Sequence, residues 1–485
     1  MGALIAVVNK RGENATQTAV KMLKILRRET FEAFGIASPR IVKIEKSIDA
    51  LQNENVNSPV VVGYAFSKTL PQDKPQPIRL EDAALAFDGR IYPNPTGICD
   101  AEIFAKKLRE NQLENIFKAV DSEFAFALAN SHGMVSGRDT IGIRPLYYGE
   151  NVDYAAVSSE RKALWKIGIN TVNSFPPGHI AFIDEHGFKF KRVKTLTKSQ
   201  VKKISMQTAA EELQKLLQKS VKERLSGLKE VAVAFSGGLD SSILASLAKS
   251  SVANVHLIHV SLNGQPETEE AKEAAEALKL PLHIRLYNEN DVKATLSKVL
   301  WLVEEPTPLN VSVGIPFYWA AEKAAEMGVK VLLAGQGADE LFGGYRRYVN
   351  DYLRYGVKRV EKTMFNDVFK MYETNFERDF KICNYHNVEL RFPFATYPLA
   401  EFATKLPLEL KIERKANGLR KLVLRKLAKN LGLPNFIVEK PKRAIQYSTG
   451  VNKTLKKLAR REELTVREYL EKKFQTLFKK MVENG

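Results

Sequence analysis

The sequence predicts two domains of different class. A sheet-rich α+β domain covers residues 1–195, and an α/β domain with a doubly wound parallel sheet and a helical C-terminal part covers 205–485. Three observations predict this. A chain of 485 residues is longer than one hydrophobic core usually serves. Short apolar or alternating runs dominate the first 195 residues, whereas strand and helix signals alternate further on. Between the two lies Lys194–Lys203, a polar stretch rich in Lys, Thr and Ser.

Taken in order, Ala3–Val8 reads as a first strand and Ala19–Arg28 has helical periodicity. Ser58–Phe66 reads as a strand bounded by prolines, followed by a proline-rich loop over Pro71–Pro77. Ala83–Tyr92 reads as a strand broken at Asp88-Gly89, a pair suited to a hairpin turn. Asp100–Arg109 reads as a helix with Asp100 at its start, and Phe124–Asn130 and Met134–Arg138 as paired strands. A long amphipathic helix begins at Gln207. Strand 231–235, helix 241–249, strand 255–261, helix 268–279, strand 282–286, helix 315–327 and strand 329–334 then alternate, as a parallel sheet covered by helices requires. From about Tyr345 the chain reads as mostly helical.

The second domain is organised around Val231–Ser246, VAVAFSGGLDSSILAS. An apolar strand runs into Ser236-Gly237-Gly238, where glycines let the backbone approach a ligand, and a helix starts at once. Free N–H groups and the helix dipole then converge on one point, which suits an anion. A phosphate loop of the G-x-x-x-x-G-K-[ST] kind would carry a lysine; this one carries Asp240, then Ser241 and Ser242. A carboxylate beside a phosphate needs a cation between them, so Asp240 suggests Mg²⁺. A Gly-Gly turn capped by Asp or Ser is the plainer account of a lone SGG.

Composition excludes several classes. No run of about 18 apolar residues exists, so no spanning helix and no membrane partner is expected. The N-terminal apolar run lacks the flanks of a signal peptide, and residue 6 is Ala where a myristoylation signal has Ser or Thr. Two distant cysteines, Cys99 and Cys383, argue against a disulfide framework and for a reducing cytoplasm. The net charge of +18 raises a polyanionic partner. The basic residues are interleaved with acidic and apolar ones, however, and no RNA-binding motif is present, so nucleic acid is not the expected partner.

SGGLDSS after an apolar strand resembles the pyrophosphate loop of ATP pyrophosphatases, which split ATP into AMP and pyrophosphate. A second glycine-rich strand end, Gly335-Gln336-Gly337-Ala338-Asp339-Glu340, follows in the order and spacing of class B asparagine synthetases and their β-lactam and carbapenam synthetase relatives. Glu389-Leu390-Arg391-Phe392-Pro393-Phe394 is similar to the family's E-x-R-x-P-F segment, and Lys442 in Pro441–Tyr447 to its late basic motif. Gly137–Tyr148, Ser159–Leu164 and Pro176–His179 resemble runs of the family's glutaminase domain. The resemblance implies an Ntn-type αββα sandwich joined to an ATP-pyrophosphatase domain, and a homodimer.

It also implies a site. ATP would lie on Ser236, Gly237, Gly238, Ser241 and Ser242, with its adenine near Ala234, Phe235, Ala334 and Gly335. Asp240 and Asp339 would hold Mg²⁺. Lys442 would supply a second cation in the transition state, or be a surface lysine. Arg391 would pair with a substrate carboxylate, or with Glu389 or another acid. The expected chemistry is adenylation of a small-molecule carboxylate, aspartate by default, followed by attack of ammonia or an amine. Gln336 stands where the family often has a glutamate base and cannot take a proton; Glu340 and Glu304 are the candidate substitutes for that base.

The first domain departs from the family. Active members place cysteine after the initiator methionine; here the residue is Gly2. The family's Asn-Gly-Glu strand is Asp88-Gly89-Arg90, and an Arg-Gly pair near the first helix is Arg28-Glu29. Asp100 matches the aspartate that holds the glutamine amino group, and equally suits an N-cap. The expectation is a folded domain that does not hydrolyse glutamine, as in β-lactam synthetases. The competing readings are an amine ligase on another metabolite, an RNA-modifying pyrophosphate-loop enzyme, and a non-catalytic scaffold.

Overall fold

The computed structural model describes residues 2–94, 97–110, 113–119, 122–198, 200–441 and 445–483. The chain divides into two compact units: residues 1–195 with 384–389 and 472–485, and residues 196–383 with 390–471.

Unit 1 is built on two antiparallel sheets. Its strands are β1 (Gly2–Asn9), β2 (Ala33–Ala37), β3 (Val42–Glu45), β4 (Val60–Phe66), β5 (Ile78–Arg79), β6 (Ala83–Arg90), β7 (Glu123–Asn130), β8 (Gly133–Arg138), β9 (Tyr147–Glu150), β10 (Tyr154–Ser158), β11 (Asn173–Ser174), β12 (His179–Asp184) and β13 (Gly187–Arg192). Seven form one sheet in the order β11-β9-β10-β1-β4-β2-β3, and six the other in the order β13-β12-β8-β7-β6-β5. Side chains alternate across a strand, and β1 shows the result. Ala3, Ile5 and Val7 pack under the helix Thr16–Ile25, while Leu4, Ala6 and Val8 join the core between the sheets. The outer face of the second sheet takes Phe87, Phe124 and Phe126, which pack with Phe104 and Phe117 from the helices Asp100–Glu110 and Leu113–Ala119. The layers are helix, sheet, sheet, helix.

The expected break at Asp88-Gly89 is absent. β6 runs unbroken and pairs with β7 along its length, Asp88 opposite Ala125 and Gly89 opposite Phe124. A Cβ on Gly89 would collide with the Glu123 carbonyl and Phe124, so the glycine serves close strand approach and not a turn.

Unit 2 carries a parallel sheet of β14 (Glu230–Ala234), β15 (Asn254–Leu262), β16 (Leu282–Tyr287) and β17 (Val331–Leu333), with β18 (Glu389–Arg391, whose Glu389 falls in unit 1) at its edge, in the order β16-β15-β14-β17-β18. β14 pairs in parallel with β15 and β17. The chain leaves β14 towards β15 on one side and returns to β17 on the other, so the direction of winding reverses between β14 and β17. In sheets of this kind a ligand crevice opens at the carboxyl ends there. The helix Met206–Leu225 begins where Ser205 accepts from the Thr208 N–H at 3.1 Å.

Two helices differ from expectation. Glu289–Val303 was not foreseen, although Asn288 and Asp291 form a capping box. The next helix spans Pro308–Glu326, not 315–327, with Thr307 as N-cap and Pro308 in its first turn. Gly314 and Pro316 inside it hide its first half from a periodicity reading. Among the described residues no helix is long and apolar enough to cross a membrane, and Cys99 and Cys383 are free and buried.

Phe104 is fully buried and lies 4.8 to 5.3 Å, centroid to centroid, from Phe87, Phe124 and Phe126. Phe104→Ala is expected to cost about 3–5 kcal/mol in stability. Urea unfolding followed by circular dichroism would show a lower midpoint with an unchanged slope for the transition of unit 1.

Candidate functional site

The crevice between β14 and β17 is occupied by the two glycine-rich strand ends. After β14 the chain runs through Phe235 and Ser236 to Gly237, which adopts φ 64°, and Gly238 precedes the helix Leu239–Lys249. Ser236 Oγ accepts from the Gly238 N–H at 3.3 Å and lies 3.3 Å from Ser241 Oγ. A Cβ on Gly237 would stand 2.8 Å from Ala271 Cα, so this turn needs glycine both for its conformation and for the approach of the helix Glu267–Leu278. After β17 the chain runs through Ala334–Gly337 into the short helix Ala338–Phe342. A Cβ on Gly335 would stand 3.0 Å from the Cβ of Asp240, so the two loops touch.

A cavity of about 500 Å³ opens there. Ala234, Phe235, Ser236, Asp240, Ser241, Ala334, Gly335 and Asp339 line it, and Gly238 lines the smaller adjoining pocket. Gly237 and Ser242 line neither. Ser242 is fully buried, and its Oγ has no hydrogen-bond partner among the described residues. One wall is apolar, from Ile258 and Val260 on β15 and from Val313, Pro316, Phe317 and Ala320 on the long helix. The far end is polar, with Gln336, Glu340, Tyr345, Arg347, Lys370, Asn375 and Arg378.

Asp240 and Asp339 face one another. Lys421, nearly fully buried, lies between them with Nζ 2.5 Å from Asp240 Oδ2 and 2.5 Å from Asp339 Oδ1. Asp240 Oδ1 is buried and accepts no hydrogen bond from any described residue. Two hard carboxylates with an oxygen left over suit a Mg²⁺ ion completed by oxygens from a ligand and water. No described group of three or more acidic, His or Cys side chains could hold a metal by itself. Around the adjoining pocket Arg420, Lys421, Arg425 and Lys440 gather; Lys440 Nζ donates to the Gly237 carbonyl at 3.0 Å and pairs with Glu270 at 2.9 Å.

The sequence reading missed these four cations and His259. His259 Nδ1 lies 3.0 Å from the Phe235 carbonyl, which fixes that nitrogen as donor, and Nε2 lies 3.3 Å from Thr268 Oγ1. Burial lowers its pKa, which favours the neutral ring. Lys421 lies 181 residues from Asp240, and no local pattern ties the two. A lysine followed within four residues by an arginine, ahead of an apolar helical face, was the available signal.

Other expected residues are placed elsewhere. Arg391 is buried, donates to the Arg224 carbonyl and does not line the cavity. Glu304 is buried in an ion pair with Lys381 at 2.7 Å, also away from the cavity. Lys442 lies outside the described residues. Gln336 does line the cavity, and its Nε2 donates to Asp379 Oδ2 at 2.5 Å. Asp379 is fully buried and paired with Arg378 at 2.7 Å. Glu340 Oε1 accepts from Tyr345 Oη at 2.5 Å and Asn375 Nδ2 at 2.7 Å; burial, then the neighbouring Asp339, raises its pKa.

Within unit 1, Asp88, Gly89 and Asp100 surround a space of about 20 Å³, roughly one water. Arg90 fills the rest. Its guanidinium pairs with Asp73 at 2.5 Å, Asp100 at 3.0 Å and Glu389 at 2.6 Å. Burial would raise the Asp73 carboxyl, but Arg90 holds it well below the usual range. Asp100 is neither vacant nor an N-cap: Oδ1 accepts from the Ile91 N–H at 2.9 Å. Gly2 begins β1, and a Cβ there would collide with the Ala65 carbonyl and the Tyr64 ring. Arg28 is buried in an ion pair with Glu160.

A family model described as asparagine synthase matches residues 212–356 and 350–484, and one described as a glutamine amidotransferase domain matches 66–166. A Methanocaldococcus jannaschii protein named for glutamine-hydrolyzing asparagine synthetase is 32% identical over 409 residues, which cover 75% of this chain and 74% of that protein. Glutamine-hydrolyzing asparagine synthetase 3 of Arabidopsis thaliana is 28% identical over 79% of this chain and 70% of its own length. The enzyme of that name from Sandersonia aurantiaca is 27% identical over 79% and 77%.

Gly237→Ala forces a left-handed conformation on an L-residue and presses on Ala271. The expected loss of stability is about 1–2 kcal/mol from the backbone alone, read from urea unfolding of the variant. Arg90→Met would remove the buried cation that Asp73, Asp100 and Glu389 share and is expected to cost about 3–5 kcal/mol, measured in the same way.

Proposed function

The chain belongs to the asparagine synthase family, a carbon–nitrogen ligase family, and from that premise we propose that it joins a carboxylate to ammonia or an amine with conversion of ATP to AMP and pyrophosphate. The observation that carries this reading is the meeting of Asp240 and Asp339 beside the Ser236–Gly238 loop, at the mouth of a cavity large enough for a nucleotide and a small acid.

The adenine lies along the apolar wall of Ile258, Val260 and Phe317, and the phosphates reach the Ser236–Ser242 turn, where N–H groups and the helix dipole favour negative charge. Asp240 and Asp339 hold Mg²⁺ in this reading, and that ion supplies charge neutralisation for the leaving pyrophosphate. A carboxylate oxygen attacks the α-phosphorus and the α–β bridging P–O bond breaks. Pyrophosphate leaves towards Arg420, Arg425 and Lys440. The amine nitrogen then attacks the acyl carbon, AMP departs with the electron pair of the acyl–oxygen bond, and the proton shed by the new amide nitrogen passes to the departing AMP phosphate or to water. Asp379 takes the amide N–H of Gln336, which leaves the Gln336 carbonyl oxygen to accept from the incoming nitrogen. Gln336 orients the nucleophile and does not deprotonate it, so the amine enters neutral. Aspartate with ammonia is the default pair. The mixed charges at the far end, Arg347, Lys370, Arg378 and Glu340, suit a zwitterionic acid of that size and equally a larger amino-acid derivative.

Unit 1 does not hydrolyse glutamine in this reading. Position 2 has no room for a nucleophilic side chain, and Arg90 occupies the space that a glutamine amino group would need beside Asp100.

The test is release of AMP and pyrophosphate from ATP–Mg²⁺ and aspartate, with ammonium or glutamine as donor. Turnover with ammonium alone is expected, with asparagine as product. Turnover with glutamine would overturn the reading of unit 1. Failure of every acid in a metabolite panel to exchange pyrophosphate would overturn the ligase reading itself. Asp240→Asn is expected to lower turnover about 100-fold or more, since one of the two carboxylates that would hold the Mg²⁺ opposite the leaving pyrophosphate is lost. If the rate follows the fraction of unprotonated amine as pH rises, Gln336 is no base.

A further inference from the structure

Lys421 is an unusual neighbour for a pair of metal-binding carboxylates. Its ammonium is only 3% exposed and stands 2.5 Å from an oxygen of each. Its backbone has φ 59°, a region that costs an L-residue free energy, immediately before the helix Leu422–Asn430. Gly344 makes room for it: a Cβ there would collide with both Asp339 Oδ1 and Lys421 Cε. Backbone strain, a glycine and two ion pairs all converge on one placement of one nitrogen.

The placement leaves an uneven distribution of oxygens. Asp240 gives Oδ2 to Lys421, and its Oδ1 remains buried with no hydrogen-bond partner among the described residues. A divalent ion at this point therefore meets one open carboxylate oxygen from Asp240 and a cation already in place between the pair. A hard cation with six or more oxygen ligands gains little from such a site unless other oxygens come with it. Two unit positive charges a few ångströms apart also repel strongly where water is scarce. Nucleotide phosphates change both terms, because they bring oxygens and negative charge.

We propose that Lys421 is a positioning residue that holds Asp240 and Asp339 together without metal and excludes a free divalent ion, so that Mg²⁺ enters only as its nucleotide complex. This rests on the nucleotide-site reading above and deepens it. The ordering has a chemical use. A site that bound Mg²⁺ tightly by itself would hold the metal–pyrophosphate product as well, whereas a lysine that reclaims both carboxylates favours its departure.

The experiment is Mn²⁺ titration of the full chain, followed by the electron paramagnetic resonance signal of the free ion, with and without an α,β-methylene analogue of ATP. Wild type is expected to take up Mn²⁺ with the analogue and not without it. Lys421→Met is expected to take up Mn²⁺ without nucleotide, with a Kd at least about tenfold lower than wild type. Lys421→Arg, which keeps the charge, should behave as wild type does. Should Lys421→Met fold poorly, Mn²⁺ is expected to raise its melting temperature and leave that of wild type unchanged. Equal nucleotide-free uptake by wild type and Lys421→Met, high or low, overturns the proposal. An analogue that promotes no uptake in wild type overturns the nucleotide-site reading instead, so the two failures are distinguishable.

Discussion

Two carboxylates that face each other across a strand-end crevice repel, and the repulsion must be met by a cation. In unit 2 that requirement governs how the site is built. Asp240 comes from the first turn of the helix after β14 and Asp339 from the helix after β17. The order of winding brings these two loops together, and Gly335 lets them touch. Lys421, from a segment much later in the chain, then neutralises the pair. Without the lysine, each aspartate would sit half-desolvated beside a like charge, which is costly in a medium of low effective dielectric constant. Two glycines follow from the same constraint, since a Cβ at Gly335 would press on Asp240 and one at Gly344 would collide with Asp339 and Lys421.

The local parts of this arrangement were legible in the sequence. An apolar run that ends in Ser-Gly-Gly and is followed at once by a helical segment has one economical geometry, and β14 with its loop and helix takes it. The second loop was legible for the same reason. What joins them was not. Arg420 and Lys421 lie just before the helix Leu422–Asn430, whose periodicity reports an apolar face and not the direction of a basic side chain ahead of its start. The helix Glu289–Val303 escaped although its capping box was readable, and Gly314 and Pro316 concealed the first half of the next one. Asp88-Gly89 misled in the other direction. A pair that favours a two-residue turn in isolation lies within β6, because strand pairing with β7 on one side outweighs local preference.

Arg391 marks a different limit. The resemblance of its segment to the family's E-x-R-x-P-F run marked it as an arginine able to meet a substrate carboxylate or an internal acid, but an arginine on a short buried strand must first satisfy its own donors. It gives one to the Arg224 carbonyl, and its neighbour Ala334 N–H donates to its own carbonyl at 3.1 Å. Such a residue holds the strand that carries Ala334 and Gly335, and its influence on the cavity passes through that backbone.

Unit 1 meets the same electrostatic requirement with the opposite consequence. Asp73, Asp100 and Glu389 form a buried acidic cluster, and Arg90 from β6 satisfies all three. In unit 2 the cation leaves a cavity of about 500 Å³ beside it and one carboxylate oxygen open. In unit 1 the guanidinium lies within the cleft itself and leaves about 20 Å³. A planar group with five donors, shared among three carboxylates, is harder to displace than an ammonium shared between two, because more charge-assisted hydrogen bonds must break at once. That difference separates a carboxylate pair that keeps open space and an open oxygen beside its cation from an acidic cluster whose cation takes up the space among its partners.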